Sequence, residues 1–124
     1  SRQAKGKKQI LAVAAAQKSK RLNDDFVLEA VELDDRPRVF AALAVMGQVA
    51  DAICERVMKS GNGPLIVAFS WHSGLAMRTA FTLQKDFSRL PPRDLVSARG
   101  GTDYPFTEEQ MRNQLQMLGI AARK

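Results

Sequence analysis

Cysteine and histidine are almost missing: the 124 residues hold one of each, Cys54 and His72. One cysteine excludes an intrachain disulfide, so a disulfide-stapled secreted fold is ruled out and a reducing compartment is expected. The pair cannot supply the four ligands of a structural zinc site. There is no Gly-x4-Gly-Lys-Ser/Thr loop, no Gly-x-Gly-x-x-Gly and no His-Glu-x-x-His, so neither nucleotide hydrolysis nor a cofactor is expected. A long apolar run is missing too. The most apolar stretch, Pro64–Leu83, is interrupted by His72, Ser73, Gly74 and Arg78. A bilayer core needs about 20 mostly apolar residues, so no membrane partner is expected. Aromatics number six Phe, one Trp and one Tyr.

Charge of one sign is missing locally. Residues 1–22 contain no acid and carry Arg2, Lys5, Lys7, Lys8, Lys18, Lys20 and Arg21, a charge of +7. Residues 23–35 contain no base and carry Asp24, Asp25, Glu29, Glu32, Asp34 and Asp35, a charge of −6. The remainder adds +5, giving +6 overall. This divides the chain into a basic arm, 1–22, and a single globular domain, 23–124, which opens on an acidic junction. An acid-free basic arm attracts the phosphates of DNA or RNA without reading sequence. Its plain alternatives are a solvated tail or a targeting segment, since Lys7–Lys8 precede the apolar run Ile10–Ala16. The opposite charges of arm and junction suggest a loose mutual association that a polyanion would displace. The expected location is intracellular: cytoplasm, nucleoid or nucleus.

Apolar periodicity gives the coarse organisation. A short helix is possible over 7–22, with Ile10, Leu11, Ala14 and Ala15 as a narrow apolar face. Residues 26–33 alternate as a strand would, although several are good helix formers. Val39, Leu43, Met46, Ala50, Ile53 and Val57 recur at helical spacing, predicting one long helix from about Pro37 to Lys59 with Asp34 or Asp35 as its cap and Gly61 beyond its end. Asn62-Gly63-Pro64 reads as a turn. The continuous run Leu65–Ser70 then reads as a buried parallel strand, with one long helix from Pro64 to Phe87 as its rival. A helix over 75–88, a short strand over Asp94–Ala98 and a helix over Thr107–Leu118 with Thr107 as cap complete the series. The pattern predicts an α/β fold, a small parallel sheet of about three strands in the order βαβαβα after the arm. The alternative is a mainly α bundle.

Two segments are candidates for contact with an anion or nucleic acid. Trp71-His72-Ser73-Gly74 would lie where a strand meets a helix, with backbone N–H groups able to hold an anion and Trp71 able to stack a base. Plain capping and packing is the rival there. Arg99-Gly100-Gly101-Thr102 would bring backbone and one cation close to a phosphate. His72 and Ser73 are adjacent on a turn, where a nucleophile and base seldom face one another. Cys54 is expected to be a buried, inert thiol.

The run Gly63–His72, and Ser97–Thr102 followed by Thr107–Arg112, resemble parts of the second RecA-like lobe of superfamily 2 helicases, the Swi/Snf-like translocases above all. The resemblance covers about residues 37–118. It implies that Ser70, Trp71, Gly101 and Thr102 face a nucleic-acid backbone. The chain lacks the family's nucleotide-binding lobe and its arginine finger, so the resemblance implies binding without hydrolysis. The resulting expectation is a non-catalytic nucleic-acid-binding protein acting through a basic arm and face. The alternative is a structural or adaptor subunit of a larger viral or ribonucleoprotein assembly, with protein partners.

Overall fold

A computed structural model describes the backbone of residues 2–120 and the side chains of residues 10–120. Among the described residues seven α-helices follow in order: α1 (Arg2–Lys18), α2 (Asp24–Glu32), α3 (Arg36–Gly47), α4 (Asp51–Lys59), α5 (Gly63–His72), α6 (Met77–Thr82) and α7 (Glu108–Gln116). A wider π turn, Leu83–Phe87, extends α6, and a single 3-10 turn spans Pro92–Asp94. Among the described residues there is no sheet, only an isolated antiparallel bridge between Arg99 and Asp103. The parallel α/β sheet expected from the pattern is therefore wrong, and the mainly helical alternative fits.

The error at Leu65–Ser70 has a physical cause. A continuous apolar run marks an element buried on every side and does not distinguish strand from helix. Here local chemistry decides. The Asn62 side chain accepts a hydrogen bond from the Leu65 N–H at 3.1 Å, and Pro64 sits in the first turn, where its missing N–H does no harm. The resulting helix, α5, is the hub of the molecule. It packs against α3, α4, α6 and α7, and every residue from Leu65 to Ser70 is buried.

The 26–33 segment is helix α2 and not a strand. Asn23 caps it through the Phe26 N–H, and Val27 and Ala30, three apart, are its buried residues. Asp94–Ala98 forms no strand ladder. Its Val96 pairs with a side chain instead: the Gln84 amide donates to the Val96 carbonyl at 3.0 Å and accepts from the Val96 N–H at 2.8 Å. Gly63 is required beside this contact, because a Cβ there would lie 2.7 Å from the Asp94 carbonyl oxygen and 3.0 Å from Gln84 Oε1.

The long 37–59 helix is two helices bent by 112°. Gln48 adopts a left-handed conformation, φ 55°, and ends α3. Val39, Leu43 and Val57 are buried as the spacing requires, but Met46 and Ile53 are half-buried and Ala50 is exposed at the corner. Asp35 caps α3 through the Arg38 N–H, and Glu55 pairs with Lys59 at 2.6 Å. Among the described residues no single helix is long and apolar enough to cross a membrane.

Candidate functional site

The acidic junction is built into the fold. Ala76, which opens α6, has no side-chain cap of its own. Asp24 supplies one from across the molecule, accepting from the Ala76 N–H at 2.8 Å and from the Thr79 hydroxyl at 2.5 Å. Asp25 approaches Arg78 at 3.9 Å, and Asp34 approaches Arg89 at 4.0 Å. Asp35 is the α3 cap. Four of the six junction acids thus fasten α2 and α3 to neighbouring backbone and cations. Among the described residues, Lys18, Lys20 and Arg21 of the arm are exposed and form no ion pair. Arg21 shares a cleft with Asp25 and Glu29, but no ion pair closes it.

The helix start expected to hold an anion after Ser73-Gly74 already holds one, the carboxylate of Asp24. Ser70 is buried at the hub, where its hydroxyl donates to the Ile66 carbonyl at 2.8 Å. Trp71 is half-buried, with the Arg112 guanidinium 5.8 Å from the ring centroid. Ser73 is buried, and its Oγ finds no hydrogen-bond partner. Gly74 is exposed, with φ 81°, and turns the chain from α5 toward α6. Arg99, Gly100, Gly101 and Thr102 are exposed on a loop closed by reciprocal hydrogen bonds of 2.7 and 2.9 Å between Arg99 and Asp103. Tyr104 ties this loop to the α5–α6 corner, its hydroxyl donating to the Leu75 carbonyl at 2.6 Å. Burial, and then the Asp24 charge, push the Tyr104 phenol well above its ordinary range. The two candidate segments therefore converge, but what they present is Gly74 and the 99–102 loop, with both serines turned inward. The side chains of Arg2, Lys5, Lys7 and Lys8 lie outside the described residues.

His72, the last residue of α5, is buried. Its Nε2 donates to the Gly47 carbonyl at 2.9 Å, while Nδ1 has no partner. No hydrogen bond joins His72 to Ser73. Cys54 is buried, and burial followed by the Asp51 charge pushes its thiol up to about 12. Among the described residues no group of His, Cys, Asp and Glu could hold a metal ion.

Apolar surface is left open along α1. That helix packs on α3 and buries only Val13 and Ala16 among its side chains from residue 10 onward. Ile10 stays 58% exposed and Leu11 60% exposed. Beside them runs an open trough of about 360 Å3, walled by Ile10, Val13 and Ala14 on α1 and by Ala41, Ala44 and Val45 on α3. Gln17, Val49 and Asp51 complete its lining. Sequence reasoning registered the charge of this segment and missed its groove. The narrow apolar face of Ile10, Leu11, Ala14 and Ala15 was legible, but the opposite wall of Ala41, Ala44 and Val45 was not. No protein-family model matches the chain, and no curated protein or solved structure matches it either.

Proposed function

We propose that the chain is a non-catalytic helical adaptor that joins a larger assembly by binding a protein partner along α1. The observation that carries this reading is the way α1 is mounted: an acid-free basic helix fixed to the body by Val13 and Ala16, with Ile10 and Leu11 left facing water. Exposed apolar groups grouped beside a trough are a surface available for association. The charge steers an acidic partner toward that surface, and apolar contact then holds it. The inward serines and the filled helix start at α6 weigh against the corner at 70–76 as a nucleic-acid contact.

Nucleic-acid binding is the second reading. It is favoured by Lys18, Lys20 and Arg21, which are exposed and without ion pairs among the described residues. The two readings differ in salt dependence. Phosphate binding weakens by about 0.9 log units per contact for each log unit of salt on duplex DNA. Binding that rests on apolar contact keeps most of its affinity. Titrating the full chain with a duplex oligonucleotide and with an acidic amphipathic peptide, each at two salt concentrations, separates them. Salt-resistant binding of the peptide supports the adaptor reading. Steeply salt-dependent binding of the oligonucleotide alone replaces it with the second.

A further inference from the structure

We infer that the trough between α1 and α3 receives an acidic amphipathic helix from a partner protein. This rests on the adaptor reading and specifies its ligand. The shape argues for a helix. On α1 the lining residues Ile10, Val13, Ala14 and Gln17 are spaced three, one and three apart, one stripe along one side of the helix. On α3 the lining residues Ala41, Ala44 and Val45 are spaced three and one apart, again a single stripe. Two such stripes form the ridges between which a third helix packs. Three of these seven residues are alanines, which let a third backbone approach closely. The lining runs along α1 from Ile10 to Gln17, about 10 Å at 1.5 Å per residue, which seats about two turns of a partner helix.

Charge selects the class of helix. α1 carries Arg2, Lys5, Lys7, Lys8 and Lys18 and no acid, so a partner with Glu or Asp flanking its apolar stripe is attracted and a basic one is repelled. Asp51 is the single acid in the lining and sits where α4 begins. The partner therefore places its acids toward α1 and none beside Asp51. Phosphate gains nothing from a wall of Ile, Val and Ala, so the trough itself is not a nucleic-acid groove. A second copy of this chain fits poorly as occupant, because its acidic helix α2 already spends Val27 and Ala30 on its own core.

The test uses the full chain and a labelled synthetic peptide of about 15 residues, or four turns, with Leu at helical spacing and Glu on the flanks. One control peptide is a scramble of the same composition, and another keeps the pattern with Lys for Glu. The patterned acidic peptide should bind about tenfold tighter than either control, a difference of about 1.4 kcal/mol. Ile10→Asp and Ala14→Glu, both at exposed positions, should each weaken it about tenfold without shifting the melting temperature. Glu109→Gln on the exposed side of α7 should leave it unchanged. If the scramble binds as tightly as the patterned peptide, the trough is not the site and this inference falls, while the adaptor reading stands only if that binding resists salt. If no peptide binds and an oligonucleotide does, both fall. A dimer seen in sedimentation, dispersed by Ile10→Asp and indifferent to peptide, would make the trough a self-interface and overturn the inference.

Discussion

Asp24→Ala removes the acceptor for two donors at once, the Ala76 N–H and the Thr79 hydroxyl. Leaving such donors without partners, together with the lost cap on α6, should destabilise the protein by about 1–3 kcal/mol in urea unfolding. A double-mutant cycle with Thr79→Val should show a coupling of about 0.5–3 kcal/mol; additive effects would dismiss the clamp. Cys54 gives a second test at this scale. With its thiol raised from 9.0 to about 12, the folded chain should react negligibly with a disulfide reagent at mildly alkaline pH and react fully once unfolded. The folded value lies above the unfolded one, so its stability contribution is complete below the unfolded value of 9.0 and is lost as pH rises toward and through 12. Melting temperatures measured upward from neutral pH should fall across that alkaline window, and a rise there would contradict the buried thiol. Single residues were partly legible in the sequence. Asp35, Gly61 and Thr107 cap or end helices as their types suggest, and Cys54 is buried. Asp24 was not legible as a clamp, because its partners lie 52 and 55 residues away.

Helix boundaries turn on Gln48 more than on any other residue. If residues 37–59 formed one helix, Gln48→Gly would sit mid-helix and destabilise by about 1 kcal/mol. At the left-handed corner actually present, φ 55°, the same change should stabilise by about 0.5–1 kcal/mol, since glycine carries no Cβ penalty there. The sign of the shift in denaturation midpoint decides between the two. Gly47→Ala, one residue earlier, should go the other way and destabilise by about 1–3 kcal/mol. Its Cβ would meet the Phe69 ring and Ser73 Oγ, each at 3.0 Å. The corner was hidden in the sequence because apolar spacing of four and three continues across it from Met46 through Ala50 to Ile53. Periodicity records which residues are apolar. It does not record that the axis has turned, nor that Gln84 would stand in for a strand at Val96.

Across the whole molecule, charge is the property that sequence conveyed best and packing the one it conveyed least. The basic arm was plain from composition, whereas the trough beside it depends on how α1 meets α3 and on two exposed residues that a hydropathy pattern would place inside. Changing Lys18, Lys20 and Arg21 together to Gln tests the arm as a unit. Affinity for an acidic peptide should fall several-fold at low salt and little at high salt, with an unaltered melt, since these side chains make no ion pair that folding would lose. A lowered melting temperature would instead assign them a role in holding the body together. The Asp24 clamp also has a consequence in time. During synthesis α2 leaves the ribosome well before α6, with 52 residues separating Asp24 from Ala76. At about 5–20 residues per second, that is a wait of roughly 3–10 seconds. For that interval the nascent chain presents a basic arm followed by an acidic segment in which Asp24 and Asp25 still lack their partners on α6. Arm and junction, which share a cleft but no ion pair in the finished fold, adjoin on the unfinished chain, and the arrival of α6 withdraws Asp24 from the neighbourhood of the arm.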